Sequence, residues 1–95
     1  MLNVSAVLTV KPGQLDAVMR LLREMAGPTR AEPGVHLYVF GPTREPDQIA
    51  MMERYTDKDA LKTHFASPTF TTIGPKLAEL LVGDPVSVRF TDDEG

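Results

Sequence analysis

Along this chain the spacing of apolar residues switches between a period of two and a period near 3.6, and the order of those switches leaves few folds open. Residues 2–10 alternate, with Val4, Ala6, Leu8 and Val10 on one side and Asn3, Ser5, Val7 and Thr9 on the other, the signature of a strand. Lys11-Pro12-Gly13 ends it, and from Gln14 the residues Leu15, Val18, Met19, Leu22, Met25 and Ala26 recur at helical spacing, with Arg20, Arg23 and Glu24 turned to water. Gly27-Pro28 is expected to kink or stop this helix.

Glu32-Pro33-Gly34 signals a turn. The next strand, residues 35–40, sets His36, Tyr38 and Phe40 on one face and Val35, Leu37 and Val39 on the other. A polar loop, 41–48, leads to a third strand, 49–55, with Ile49, Met51, Glu53 and Tyr55 together and Ala50, Met52 and Arg54 opposite. Thr56 and Asp59 resemble a capping box opening a helix that carries Ala60, Leu61, His64 and Phe65 inward. Ser67-Pro68 stops that helix and starts another, as N-cap and first helical residue. In this second piece Gly74-Pro75 is expected to bend or restart the segment between Phe70, Ile73, Leu77, Leu80 and Leu81. Gly83-Asp84-Pro85 closes it, and Val86, Val88 and Phe90 alternate as a last strand before an acidic tail, 91–95, expected to be frayed.

The order is β-α-β-β-α-β with the second helix broken in two. That is the ferredoxin-like, split βαβ form of the α+β class, with a four-stranded antiparallel sheet and one domain over residues 1–95. Helices cover only one face of such a sheet. Strands two and three are apolar on both, so the bare face calls for a second copy, and a homodimer packed sheet to sheet is expected. A chain of 95 residues also has a thin core of its own.

Charge and composition remove several functions. Ten Lys and Arg against 13 Asp and Glu give a formal charge of -3 without a run of either sign, which suits neither a nucleic acid backbone nor an anionic membrane. Without cysteine there is no thiolate nucleophile, cysteine-ligated zinc or iron–sulfur cluster. No apolar run approaches the roughly 20 residues of a membrane span, and a cytoplasmic protein is the default expectation. No Gly-rich phosphate loop, paired metal-ligand histidines or nucleophile elbow around Ser5, Ser67 or Ser87 occurs, so no metal, nucleotide or flavin cofactor is expected.

His64 is the first candidate for chemistry, since it lies on the inward face of its helix and imidazole titrates where a general base must. The alternative is a core-edge histidine bonded to a backbone carbonyl. Glu53 is the second: a carboxylate between Met51, Met52 and Tyr55 is costly to bury without a partner. It either shares a cavity with His64 and orients the imidazole, or pairs structurally with Arg20, Arg23 or Arg89. Tyr38, Phe40, Tyr55, Phe65 and Phe70 either line a flat slot for an aromatic ligand or are ordinary core. His36 reads as strand filler.

Residues 4–13, Pro28-Thr29-Arg30-Ala31-Glu32-Pro33-Gly34, Glu53-Arg54-Tyr55, and Ala60 through His64 followed by Ser67-Pro68 and Phe70 resemble the antibiotic biosynthesis monooxygenase family over nearly the whole chain. The resemblance implies a dimeric ferredoxin-like α+β barrel with a pocket in each subunit. It also implies oxidation of quinols or polycyclic phenols by molecular oxygen without flavin or metal, the substrate supplying the electrons. Carried over, His64 becomes base or proton relay, Glu53 its partner or a substrate hydrogen-bond acceptor, and Tyr55 a pocket wall where many relatives have Trp. Met51 stands where a polyketide oxygenase has a polar amide, which argues against anthrone oxidation. Gly74 and Ala6 near the places of an axial His and an Asn, together with the absence of Trp, argue against haem degradation. A branch isomerising a small phosphorylated sugar shares Glu53 and His64 and would need an anchor from Arg20, Arg23, Lys76 or Arg89. A ligand-binding protein without turnover is the remaining alternative.

Overall fold

The alternation at the amino terminus becomes β1 (Leu2–Thr9), the strand on which the sheet is assembled. The computed structural model describes residues 1–94. After β1 come α1 (Leu15–Arg30), β2 (Val35–Pro42), β3 (Gln48–Tyr55), α2 (Lys58–Ala66), α3 (Pro68–Leu80) and β4 (Val86–Asp92). The strands form one antiparallel sheet in the order β2-β3-β1-β4, an α+β ferredoxin-like arrangement with the second helix in two pieces.

Register puts the expected sets on the expected faces of β1 and β3. Val4 pairs with Glu53 and Leu8 with Ile49, so their side chains share the helix-covered face. There Leu8, Val10, Ile49, Met51 and Tyr38 meet Val18, Leu22, Met25 and Ala26 of α1 and Leu77 of α3, while Leu2, Val4 and Tyr55 form a smaller cluster beside Leu61. Strand β2 differs from the simple alternation. An irregularity between Val35 and Leu37 returns Val35 to the core side and leaves His36 exposed, bonded through Nε2 to Thr56 Oγ1 at 2.7 Å.

Neither internal proline breaks its helix. Pro28 sits in the last turn of α1 and faces solvent, while Met25, Ala26 and Thr29 on the opposite side are buried. The carbonyl that loses its N–H partner can therefore turn to water, and the buried stripe holds the turn. Pro75 is likewise on the outer side of α3, opposite Leu77, and that helix runs through Gly74-Pro75 without restarting.

The cap of α2 is Asp57, not Thr56. Its carboxylate accepts from the Ala60 amide at 2.9 Å, while the Thr56 hydroxyl is held by His36. Ser67 separates α2 from α3 as anticipated: its hydroxyl donates to the His64 carbonyl at 2.7 Å and accepts from the Phe70 amide at 3.2 Å. Strand β4 runs into the first residues of the acidic tail, as far as Asp92. Thr91 and Asp92 pair with Asn3 and Leu2, and Asp93 receives hydrogen bonds from Asn3 and Arg54. Gly95 lies outside the described residues. No helix among the described residues is long and apolar enough to cross a membrane.

Candidate active site

Between the sheet and the helices lies a cavity of about 280 Å³. Its floor comes from the sheet: Val4, Ala6 and Leu8 of β1, Tyr38 of β2, Met51 and Glu53 of β3. Its roof comes from Leu22 and Met25 of α1, Leu61, His64 and Phe65 of α2, and Phe70, Gly74, Leu77 and Ala78 of α3. Strand β4 and the loop before it form the remaining wall through Asp84, Val88 and Phe90. The helices do not cover that wall: Val88 is 37% exposed and Phe90 62%, which leaves the cavity open on this side.

His64 is 1% exposed and sits in a cage of rings, with Tyr38, Tyr55, Phe65 and Phe70 centred 5.7, 5.8, 5.6 and 5.4 Å away. Its hydrogen-bonding partner is a carboxylate, not the backbone carbonyl considered from the sequence. That carboxylate belongs to Glu32, whose Oε2 lies 3.2 Å from His64 Nδ1. Glu32 stands in the turn between α1 and β2 and reaches the ring without lining the cavity. Three contacts hold the turn. Arg30 donates through Nε and Nη2 to the Tyr38 carbonyl at 3.1 and 2.8 Å, and the Thr56 amide donates to the Gly34 carbonyl at 2.9 Å. Gly34 also packs against α2 so closely that a Cβ there would stand 2.5 Å from Ala60 Cβ. The Glu-Pro-Gly sequence thus joins the carboxylate to the one residue type that lets it approach the helix bearing His64.

Glu53 faces the cavity but makes no hydrogen bond with His64, nor an ion pair with Arg20, Arg23 or Arg89, among the described residues. Its Oε1 accepts from the Tyr55 hydroxyl, two residues along the strand and on the same face. Burial pushes the Glu53 carboxyl above the usual carboxylate range, an effect that the Tyr55 hydroxyl and His64 partly offset. Burial, with the Glu53 and Glu32 charges behind it, also raises both tyrosines well above ordinary phenols, so they act as donors. Tyr38 donates to Met25 Sδ at 3.1 Å.

Of the residues named from the sequence, His64, Glu53, Tyr38, Met51, Phe65 and Phe70 line the cavity. Tyr55 does not: it is fully buried behind the wall, where it holds Glu53 and touches the His64 ring. Phe40 packs against the main core beside Tyr38 instead of reaching the cavity. Sequence reasoning missed Glu32, Leu22, Met25 and Leu61. The two α1 residues were legible as part of its apolar stripe, whereas Glu32 had only its place in the Glu-Pro-Gly turn to mark it. No group of three or more His, Asp or Glu among the described residues is placed to hold a metal.

An α+β protein of ferredoxin-like topology, with a largely apolar cavity presenting one imidazole and the carboxyls of Glu53 and Asp84, is of the class that binds a small molecule between sheet and helices. Residues 1–75 match the antibiotic biosynthesis monooxygenase family. The Mycobacterium tuberculosis protein Rv0793, whose name assigns it provisionally to the monooxygenases, is 33% identical over 78 residues, covering 82% of this chain and 76% of its own. Its solved structure superposes with a TM-score of 0.88 at 28% identity, covering 99% of this chain and 95% of that one. A crystal structure described as an antibiotic biosynthesis monooxygenase gives 0.90 at 30% identity over the full length of both chains. A conserved protein of Methanosarcina mazei Go1 gives 0.89 at 26%, covering 98% and 92%. The chain belongs to the antibiotic biosynthesis monooxygenase family.

Proposed function

We propose that this protein is a monooxygenase that oxidises a neutral, electron-rich hydroxyaromatic, a quinol or polyphenol, with molecular oxygen and no added cofactor. The observation that carries the proposal is the cavity's chemistry: one imidazole and the carboxyls of Glu53 and Asp84 on an otherwise largely apolar wall, with no Lys or Arg lining it among the described residues. An apolar cavity of about 150 Å³ accepts a benzene ring, so this one suits one or two rings. Phe65 and Phe70, with centroids 5.0 Å apart, offer them an aromatic surface.

In the proposed reaction His64 takes a phenolic proton, and the phenolate is electron-rich enough to reduce oxygen. For a simple hydroquinone one oxygen atom enters the ring, the other leaves as water, and the products are a hydroxyquinone and water. All four electrons come from the substrate. Glu53 offers its carboxyl to a second ring hydroxyl. A phosphorylated sugar fits less well: Arg20, Arg23 and Lys76 are exposed on the helices, and Arg89 lines a shallow depression with Leu37 and Met52 outside the cavity.

The working unit in this reading is a homodimer packed through the uncovered sheet face, where Leu37 is 40% and Met52 56% exposed. The decisive experiment is oxygen uptake by metal-free protein with a panel of quinols and polyphenols, autoxidation subtracted. Protein-dependent uptake that falls about 10²- to 10⁴-fold in His64→Ala supports the proposal. Uptake no faster than autoxidation sinks it.

A further inference from the structure

The ring of His64 lines the cavity, yet the carboxylate on its Nδ1 does not, so the imidazole is gripped from behind and offers its other edge inward. A neutral imidazole has one donor and one acceptor nitrogen, and an ionised carboxylate only accepts. From this geometry we infer that Glu32 is a positioning residue, fixing His64 as the Nδ1–H tautomer and leaving the Nε2 lone pair to take the substrate proton. This rests on the proposed reaction for its chemical meaning.

The carboxyl groups of Glu53 and Glu32 take different places in the site. Glu53 has one oxygen on Tyr55 and faces the ligand, while Glu32 stands behind the base. The charged and titratable groups around the imidazole are thus Glu32, Glu53, Tyr38 and Tyr55. When Nε2 accepts a proton, the Nδ1–H···carboxylate bond becomes an imidazolium–carboxylate pair, and the charge created in an apolar wall meets its counter-ion without any rearrangement. Glu32 Oε1 is buried and makes no hydrogen bond among the described residues, so the carboxylate's main polar engagement is with His64. The clamp of Arg30 on the Tyr38 carbonyl and the Gly34–Ala60 contact fix its position before any ligand arrives.

The test is a long-range proton–nitrogen NMR correlation on the full-length, nitrogen-15-labelled protein above about pH 8, where an ordinary imidazole is neutral. The second histidine is assigned through His36→Gln. An Nδ1–H pattern for His64 is expected; an Nε2–H pattern overturns the inference whether or not any quinol is oxidised. In oxygen uptake, Glu32→Gln should lower kcat on the order of 10²-fold while KM moves little. An unchanged kcat in that variant, with an active native protein, also overturns it. Absence of uptake by the native protein instead removes the reaction on which the base role rests, and the NMR pattern alone then decides how Glu32 holds the ring.

Discussion

Gly34 and Ala60 lie so near one another that the turn between α1 and β2 meets helix α2 with no room for a methyl group between them. Gly34→Ala must push apart the two segments that carry Glu32 and His64. A loss of about 1–3 kcal/mol is expected, as in other overpacked contacts. Urea denaturation measures it as a lower midpoint at unchanged slope, and an unaltered midpoint would show that the turn can move freely.

The two neighbouring residues at the start of α2 should respond differently to truncation. Asp57→Ala removes the acceptor for the Ala60 amide and should cost about 1 kcal/mol. Thr56→Ala loses only an exposed bond to His36 and should stay within about 0.5 kcal/mol of the native chain. Equal losses in thermal denaturation would contradict this assignment of the cap.

Glu53 makes stability depend on pH in a defined direction. Its carboxyl is raised by burial, so the folded chain holds this proton more tightly than the unfolded chain does. Stability therefore falls as pH climbs from the ordinary glutamate range, about 4.3, through the raised folded value. Glu53→Gln abolishes that slope while keeping an oxygen for Tyr55. Relative to the native chain it should gain stability toward pH 7, with the difference narrowing toward pH 4. A difference that stays constant over denaturation curves at several pH values would refute the link.

The exposed pair on the uncovered sheet face predicts assembly. Leu37→Glu combined with Met52→Glu should convert a micromolar dimer into a monomer in size-exclusion chromatography with light scattering, since both side chains would carry charge into an apolar contact. A native chain that is already monomeric at that concentration would end the dimer proposal.

Much of the architecture could be read from the sequence because parity and helical spacing are local properties. The inward set Ile49, Met51, Glu53 and Tyr55 follows from alternation alone, and Ser67-Pro68 states its own break between helices. Prolines 28 and 75 misled because local rules count the hydrogen bond lost but not the burial on the opposite side of the same turn. Thr56 and Asp57 are both good caps, and only the bond from His36 to Thr56 separates them. The site was half legible. Glu53 and His64 announced themselves as polar groups on apolar faces, but the partner of His64 lies 32 residues away in a turn, where no periodicity operates. Tyr55 and Phe40 have the parity for the cavity, yet which inward residues reach an open space depends on how far the helices extend over each strand.

The pairing of Glu53 with Tyr55 arises from residues two apart on one strand, so the pleat of β3 alone maintains it. The grip on His64 comes from a turn meeting a helix. The two pairings are consequently held by different segments of the chain: substitutions around residues 30–34 act first on the base, and substitutions in β3 act first on the acid. Because His64 also bears on the Glu53 carboxyl, a change in either segment is felt, more weakly, by the other.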